Sequence, residues 1–187
     1  MDLKGKTAIV TGGGRDIGRA CVLELAARGA NVAINYMASS EGADSAVAEI
    51  KAAGGNAFAL QGDMTKEADV AALVEKTVKE FGQVDTLVHV TGGLVARVTM
   101  SEMTLDHWQS VMDVNLTGVF LGTREAMRIM KRQGGGRIIN IGSIAGRWVY
   151  PKGAVYNATK FAVWAINEGM NIDLVGTSIR VSSVDPG

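Results

Sequence analysis

The chain has little that would tie it covalently, hold it in a membrane or give it a one-sided charge. Cys21 is its only cysteine, so no intramolecular disulfide forms and no zinc site built on several cysteines is available. Lys and Arg total 19 and Asp and Glu total 19, a formal net charge of zero. That balance supplies no general positive field for nucleic acid or for an anionic membrane surface. No apolar run of about 18 residues occurs, so no transmembrane helix is expected. The opening Met1-Asp2-Leu3-Lys4-Gly5-Lys6 lacks the apolar centre of a secretory signal. A cytoplasmic protein is the simplest reading. Only two prolines are present, whereas glycine is abundant: 24 residues of 187, roughly twice its usual share. The glycines cluster at 12–14, 54–55, 92–93 and 134–136, which places tight turns at intervals between regular elements.

Between those clusters, short apolar, β-branched runs alternate with longer stretches of helical spacing. Strands are expected at Thr7–Val10, Asn31–Asn35, Ala57–Leu60, Thr86–Val90, Arg137–Ile141 and Ile179–Val184. Helices are expected at Ile17–Arg28, Glu41–Ala53, Lys66–Phe81 and Gly153–Leu174. A further long helical region spans Leu105–Arg132, with Asn115 and Gly118 in its middle. Gly29, Gly54, Gly82 and Gly134 stand where helices stop. Strand–helix alternation implies a parallel sheet with right-handed crossovers and helices on both faces. The strands are apolar nearly throughout, as strands covered on both faces are. The expected fold is therefore α/β, a doubly wound parallel sheet in a single domain, with ligands at the carboxyl ends of the strands.

Chemistry concentrates in two places. The first is Thr11-Gly12-Gly13-Gly14-Arg15-Asp16-Ile17-Gly18, between the first strand and the first helix. Glycines there let backbone approach a pyrophosphate, and the helix N-terminus offers free N–H groups to its charge. The spacing departs from G-x-G-x-x-G and fits T-G-x-x-x-G-x-G, with Asp16 in place of the middle glycine; a tight turn without a ligand is the alternative. The second strand ends in Asn35-Tyr36, with no carboxylate to hold ribose hydroxyls and repel a 2′-phosphate. Arg15, Ser39 and Ser40 are placed to receive such a phosphate, so NADP(H) is favoured and NAD(H) stays open.

The second place is Tyr156-Asn157-Ala158-Thr159-Lys160 at the start of the last helix. Residues four apart share a helical face, and an ammonium beside a phenol favours the phenolate, making Tyr156 a usable acid or base. Ser143 follows the fifth strand and can hydrogen-bond a carbonyl oxygen that Tyr156 protonates. Asn115 is a mediocre helix former in mid-helix, a hint of a role such as holding a water.

With these motifs in place, the sequence resembles the classical short-chain dehydrogenase/reductase family from Lys6 to Gly187. The likeness rests on the glycine loop, Asp63 after the third strand, Asn115, Ser143, Tyr156 with Lys160, and Pro186-Gly187. The first half is similar to 3-oxoacyl-carrier-protein reductases, and the stretch from Gly142 to Val163 to reductases of 3-hydroxy acids. The resemblance implies an oxidoreductase that interconverts a carbonyl and a secondary alcohol, with a nicotinamide cofactor as hydride carrier. It implies Tyr156 as general acid and base, Ser143 polarising the substrate oxygen, Lys160 assisting Tyr156 and holding the nicotinamide ribose, and Asn115 positioning a relay water. It also implies that Asp63 and Met64 meet the adenine, that Gly12, Gly14, Arg15, Ile17, Gly18, Asn35 and Gly92 contact the rest of the dinucleotide, and that Pro186 and Gly187 pass the nicotinamide.

Three departures qualify that expectation. Asp16 puts a carboxylate beside the pyrophosphate position. His89-Val90-Thr91-Gly92 replaces N-N-A-G, and His89 is read as replacing a structural asparagine, not as a base. Family members usually continue beyond the point matching Gly187, into a last strand and a substrate lid. Residues 1–187 thus read as one dinucleotide-binding and catalytic domain, C-terminally incomplete relative to the family, with activity of this 187-residue form in question. The alternative is a dinucleotide-binding fragment or regulator without turnover. Arg147 or Lys152 can meet a substrate carboxylate or an acyl-carrier phosphate, or lie solvated at the surface. The expected partners are a small carbonyl or alcohol substrate, without nucleic acid or membrane, and a second copy of the chain. A homodimer or homotetramer is implied through the long helices, where Phe120, Trp164 and Met170 offer apolar surface.

Overall fold

The computed structural model describes residues 2–187. Its strands are β1 (Thr7–Thr11), β2 (Asn31–Tyr36), β3 (Ala57–Gln61), β4 (Thr86–His89), β5 (Gly136–Ile141) and β6 (Ile179–Val184). Its α-helices are α1 (Asp16–Ala27), α2 (Ser40–Ala52), α3 (Glu67–Phe81), α4 (Leu105–Met112), α5 (Gly118–Gln133) and α6 (Ala154–Asp173). Each expected strand and helix is present, with ends that differ by a residue or two except within Leu105–Arg132. There the helix widens at Asp113–Thr117 into a π-helical turn that separates α4 from α5.

The helices follow from simple rules. In α3, the buried Val70, Leu73, Val74 and Thr77 recur at helical spacing, and Gly82 ends the helix in the left-handed region, at φ 84°. Thr104 caps α4, its hydroxyl accepting from the His107 N–H at 3.1 Å. Gly134, at φ 87°, stops α5.

All strand pairings are parallel and the sheet order is β3-β2-β1-β4-β5-β6. β1 is buried along its whole length, whereas β6, at the edge, alternates. One face packs Ile9, Leu87, Ile138 and Val181 against Leu73, Leu121 and Met130 from α3 and α5. The other packs Val10, Val32, Ile34 and Val88 against Val22, Ala43 and Ile50 from α1 and α2. Met170 packs against the first of these clusters, so it serves the core and not a free apolar face; Phe120 and Trp164 stay at the surface.

The strand order reverses direction between β1 and β4. Connections from the two strands leave to opposite sides and open a crevice at their carboxyl ends. A polar row crosses the sheet there: Thr11 is paired with His89, His89 with Asn140, and Asn140 with Ser183. Among the described residues no helix is long and apolar enough to cross a membrane.

Candidate active site

The crevice is a cleft of about 640 Å³ at the carboxyl ends of β1, β4 and β5. Gly12, Arg15, Ile17, Gly18, Gly92, Ser143, Tyr156, Lys160, Pro186 and Gly187 line it, as do Met37, Ala38, Ser39, Val90, Thr91 and Val114. Residues as far apart in the chain as Gly12 and Gly187 thus meet around one cleft. Gly14, Asn35, Asp63, Met64 and Asn115 lie outside the lining and act, where they act, from behind it.

The glycine loop is shaped by close packing. A Cβ at Gly18 would collide with the Gly12 carbonyl, and one at Gly14 with the Ser39 side chain. Gly12 itself sits at φ 63°, a conformation glycine adopts without steric penalty. Behind the loop, the buried Asn35 accepts from the Gly12 N–H at 3.4 Å and donates to the Gly62 carbonyl at 2.9 Å. Asn35 therefore braces the loop against the end of β3. No side chain caps α1, so the N–H groups of its first turn stay available to an anion in the cleft. A cradle closed to any side chain, with an uncapped helix start above it, fits a pyrophosphate.

Two residues beside the loop complete this wall. Thr11 was legible only as part of a motif. Its hydroxyl accepts from the Val90 and Thr91 N–H groups, at 3.0 and 3.1 Å, and joins β1 to the segment after β4. Asp16 occupies the left-handed region, at φ 47°, and its exposed carboxylate lies 3.7 Å from Arg15. Arg15 and Ser39 share the cleft wall near the end of β2. Asp63 turns to its own loop, its Oδ1 accepting from the Thr65 N–H and hydroxyl at 2.9 and 2.8 Å. Met64 is buried in the core beneath α3 and α5. Its side chain faces away from the cleft.

The opposite wall carries the titratable groups. Lys160 is almost wholly buried, and its Nζ donates to the Ile141 carbonyl at 2.9 Å. The same nitrogen lies 5.7 Å from the centroid of the Tyr156 ring. Burial lowers the Lys160 pKa from 10.5 to about 8, and the Asp185 carboxylate opposes that shift. Ser143 begins a single 3₁₀ turn, Ile144–Gly146, and its Oγ accepts from the Ala145 N–H at 3.1 Å. The hydroxyl hydrogen remains to be donated into the cleft. Asn157, inside the Tyr156–Lys160 motif, holds this turn in place: its Nδ2 donates to the Ala145 and Trp148 carbonyls, both at 2.8 Å. The turn packs so closely on α6 that a Cβ at Gly146 would come within 2.8 Å of the Lys160 carbonyl oxygen. Ser143 and Tyr156 are thereby fixed relative to each other.

Asn115 sits inside the π-helical turn and is fully buried. Its Oδ1 accepts from the Gly93 N–H at 2.9 Å, and its Nδ2 donates to the Gly93 and Val111 carbonyls at 2.7 and 3.0 Å. The carboxamide clamps Gly92-Gly93 beside the Lys160 ammonium. π-turns concentrate at functional sites, and the widening explains how an asparagine is tolerated there.

His89 is 1% exposed, and neither ring nitrogen has a partner among the described residues. Burial, with the nearby Lys160 charge adding to it, lowers its pKa to about 3. A permanently neutral imidazole under α5, with Nδ1 only 3.1 Å from where a Gly122 Cβ would stand, packs the sheet and titrates far from neutral pH.

Comparison with known proteins agrees with this geometry. The model of the short chain dehydrogenase family matches residues 6–187. A 3-oxoacyl-[acyl-carrier-protein] reductase of Synechocystis is 40% identical over 185 residues, 99% of this chain and 74% of the relative. A 3-oxoacyl-[acyl-carrier-protein] reductase FabG of Staphylococcus aureus is 39% identical over 182 residues, 97% of this chain and 74% of the relative. The solved short-chain dehydrogenase/reductase from Serratia marcescens superposes with a TM-score of 0.95 at 38% identity, over 100% of this chain and 76% of that one. The chain belongs to the short-chain dehydrogenase/reductase family of oxidoreductases.

Proposed function

We propose that this chain interconverts a carbonyl and a secondary alcohol, with NADP(H) as hydride carrier and Tyr156 as acid and base. One observation carries the reading. Tyr156 stands over a buried ammonium, at the carboxyl edge of the sheet, on the wall facing a glycine cradle built for a pyrophosphate.

The nicotinamide cofactor, when bound, supplies or takes the hydride. The rest falls to the protein. Ser143 donates its hydroxyl hydrogen to the substrate oxygen and fixes its position. Tyr156 gives its phenolic proton to the same oxygen in reduction, and takes it back in oxidation. The Lys160 ammonium stabilises the phenolate left behind. Being buried, that charge is weakly screened and acts strongly over a short range. Asn115 serves from behind, holding Gly92-Gly93 against the lysine. Pro186 is held beside this wall, its carbonyl accepting from the Ile144 N–H at 3.1 Å.

NADP(H) is preferred because β2 ends without a carboxylate and because Arg15 and Ser39 line the cleft beside that end. Arg15 is exposed and, among the described residues, paired only with the equally exposed Asp16, so it can turn to a 2′-phosphate at little cost. Gly14 and Asn35 shape the cradle from behind, and Pro186 and Gly187 line the nicotinamide end. The exposed Phe120, Phe161 and Trp164 on α5 and α6 support association with a second copy. We place the enzyme in the cytoplasm, as a dimer or tetramer.

The test is turnover. The protein is incubated with NADPH or NADH and a panel of small ketones and 3-oxo esters, and loss of the reduced nicotinamide signal is followed. Consumption of NADPH in preference to NADH is expected. Measurable NADPH binding without turnover would instead establish a dinucleotide-binding protein.

A further inference from the structure

Beside Tyr156, at the start of α6 and outside the residues that line the cleft, Tyr150 and Arg97 stand together. Tyr150 lies against the start of α6: a Cβ at Gly153 would run into its ring. Gly153 is three residues before Tyr156. The Tyr150 phenol is pushed above its ordinary value, by burial first and then by Tyr156, with Arg97 pulling the other way. Tyr150 is therefore a neutral ring next to the catalytic phenol. The Arg97 guanidinium lies 5.1 Å from its centroid.

Three cations lie near Tyr150 in sequence or in space, and they are not equivalent. Arg147 lies 4.0 Å from the Asp185 carboxylate and 5.0 Å from the Trp164 centroid, so its charge is already answered. Lys152 is exposed on a flexible stem. Arg97 forms no ion pair among the described residues, and Glu102, the acid in its loop, accepts from the Thr99 hydroxyl instead. Its planar fork, stacked on a ring, is the geometry suited to a carboxylate. The flanking backbone points the same way. Val95 and Lys152 hold positive φ angles of 64° and 61°, and for a β-branched valine that conformation is a true outlier. With Asp16, which lines the cleft, they are the only non-glycine residues of positive φ among the described residues. Strained backbone of this kind concentrates at ligand clamps.

We infer that Arg97, stacked on Tyr150, is a specificity-determining residue that receives the carboxylate of a small oxo acid whose carbonyl lies at Ser143 and Tyr156. The inference rests on the proposed carbonyl chemistry and names its substrate class. The carboxylate stays ionised and unreacted, acting as a handle that aligns the carbonyl.

Binding and turnover are read separately, so that the two readings fail separately. Pyruvate, 3-oxobutanoate and 4-oxopentanoate, each with its methyl ester, are titrated calorimetrically into the full chain with and without NADP+. The oxidised cofactor forms a non-reacting complex with a ketone. The native protein is expected to bind at least one acid roughly tenfold or more tighter than its ester, the discrimination available to a charge-assisted hydrogen bond. Arg97→Gln is expected to abolish that preference while leaving ester binding unchanged, and Arg97→Lys to retain part of it. Equal binding of acid and ester by the native protein, no detectable binding of any acid, or a preference that survives Arg97→Gln overturns the inference. Acid preference without NADPH consumption sustains the subsite and refutes the carbonyl reduction.

Discussion

Asp16 shows how one residue can break a motif without breaking the site it belongs to. Its φ of 47° is why the family pattern has glycine there: the turn from the cradle into α1 passes through the left-handed region. Aspartate tolerates that region better than most residues but still pays of order 1 kcal/mol. Asp16→Gly is expected to raise the melting temperature by about 2–4 °C, the shift that ~1 kcal/mol produces in a domain of this size. It also removes a carboxylate beside the pyrophosphate position, so NADPH affinity stays equal or tightens. A large loss of affinity in a fluorescence titration would show that Asp16 helps to hold the cofactor. The mismatch itself was plain in the sequence; the backbone angle behind it was not, because φ depends on where the loop must go and not on which residue stands in it. Asn35 is the converse case. Its place at the end of β2 was legible, but its contacts to Gly12 and Gly62 depend on which strand lies next to β2.

Among the elements, those with long periodic patterns were the readable ones. β6 was found with the expected ends, and α3 and α6 within a residue or so, because alternation and helical spacing report which side of an element is covered. The break at Asp113–Thr117 was not readable as a π-turn: five residues carry no period of their own, and Asn115 only signalled that something interrupts the helix. The end of β4 is sharper. His89 was expected to be structural, and its position opposite Thr11 and Asn140, sealed by α5 at Gly122, gives the physical reason. Its folded pKa of about 3 lies below the unfolded value near 6.5. The unfolded chain therefore binds more protons between these values, and stability rises with pH across the window. The contribution is complete above pH 6.5 and is lost as pH falls toward 3, up to about 5 kcal/mol for this one group. Urea midpoints measured from pH 7 to pH 4 are expected to fall more steeply for the native protein than for His89→Asn. Parallel curves would mean that the strand end opens to water before the imidazole is protonated.

At the scale of the whole molecule, the alternation of strands and helices announced a doubly wound sheet, while the strand order that creates the crevice had to come from the structure. The sequence held every residue of the opposite wall, Ser143, Tyr156 and Lys160, but not their brace, Asn157, whose role depends on a turn folding back onto α6. The proposed site converges on the carboxyl edge: the cradle from β1, the clamp from the segment after β4, the Ser143 hydroxyl after β5 and Tyr156 on α6. The central claim is that this edge exists to deliver a proton from Tyr156 while the cleft holds a nicotinamide cofactor. The direct measurement is kcat/KM of Tyr156→Phe on the best ketone found for the native enzyme, alongside its NADPH dissociation constant. The account predicts a loss of about 10²- to 10⁴-fold in kcat/KM, the usual contribution of a positioned acid, with NADPH binding unchanged. Turnover that survives the substitution would contradict it.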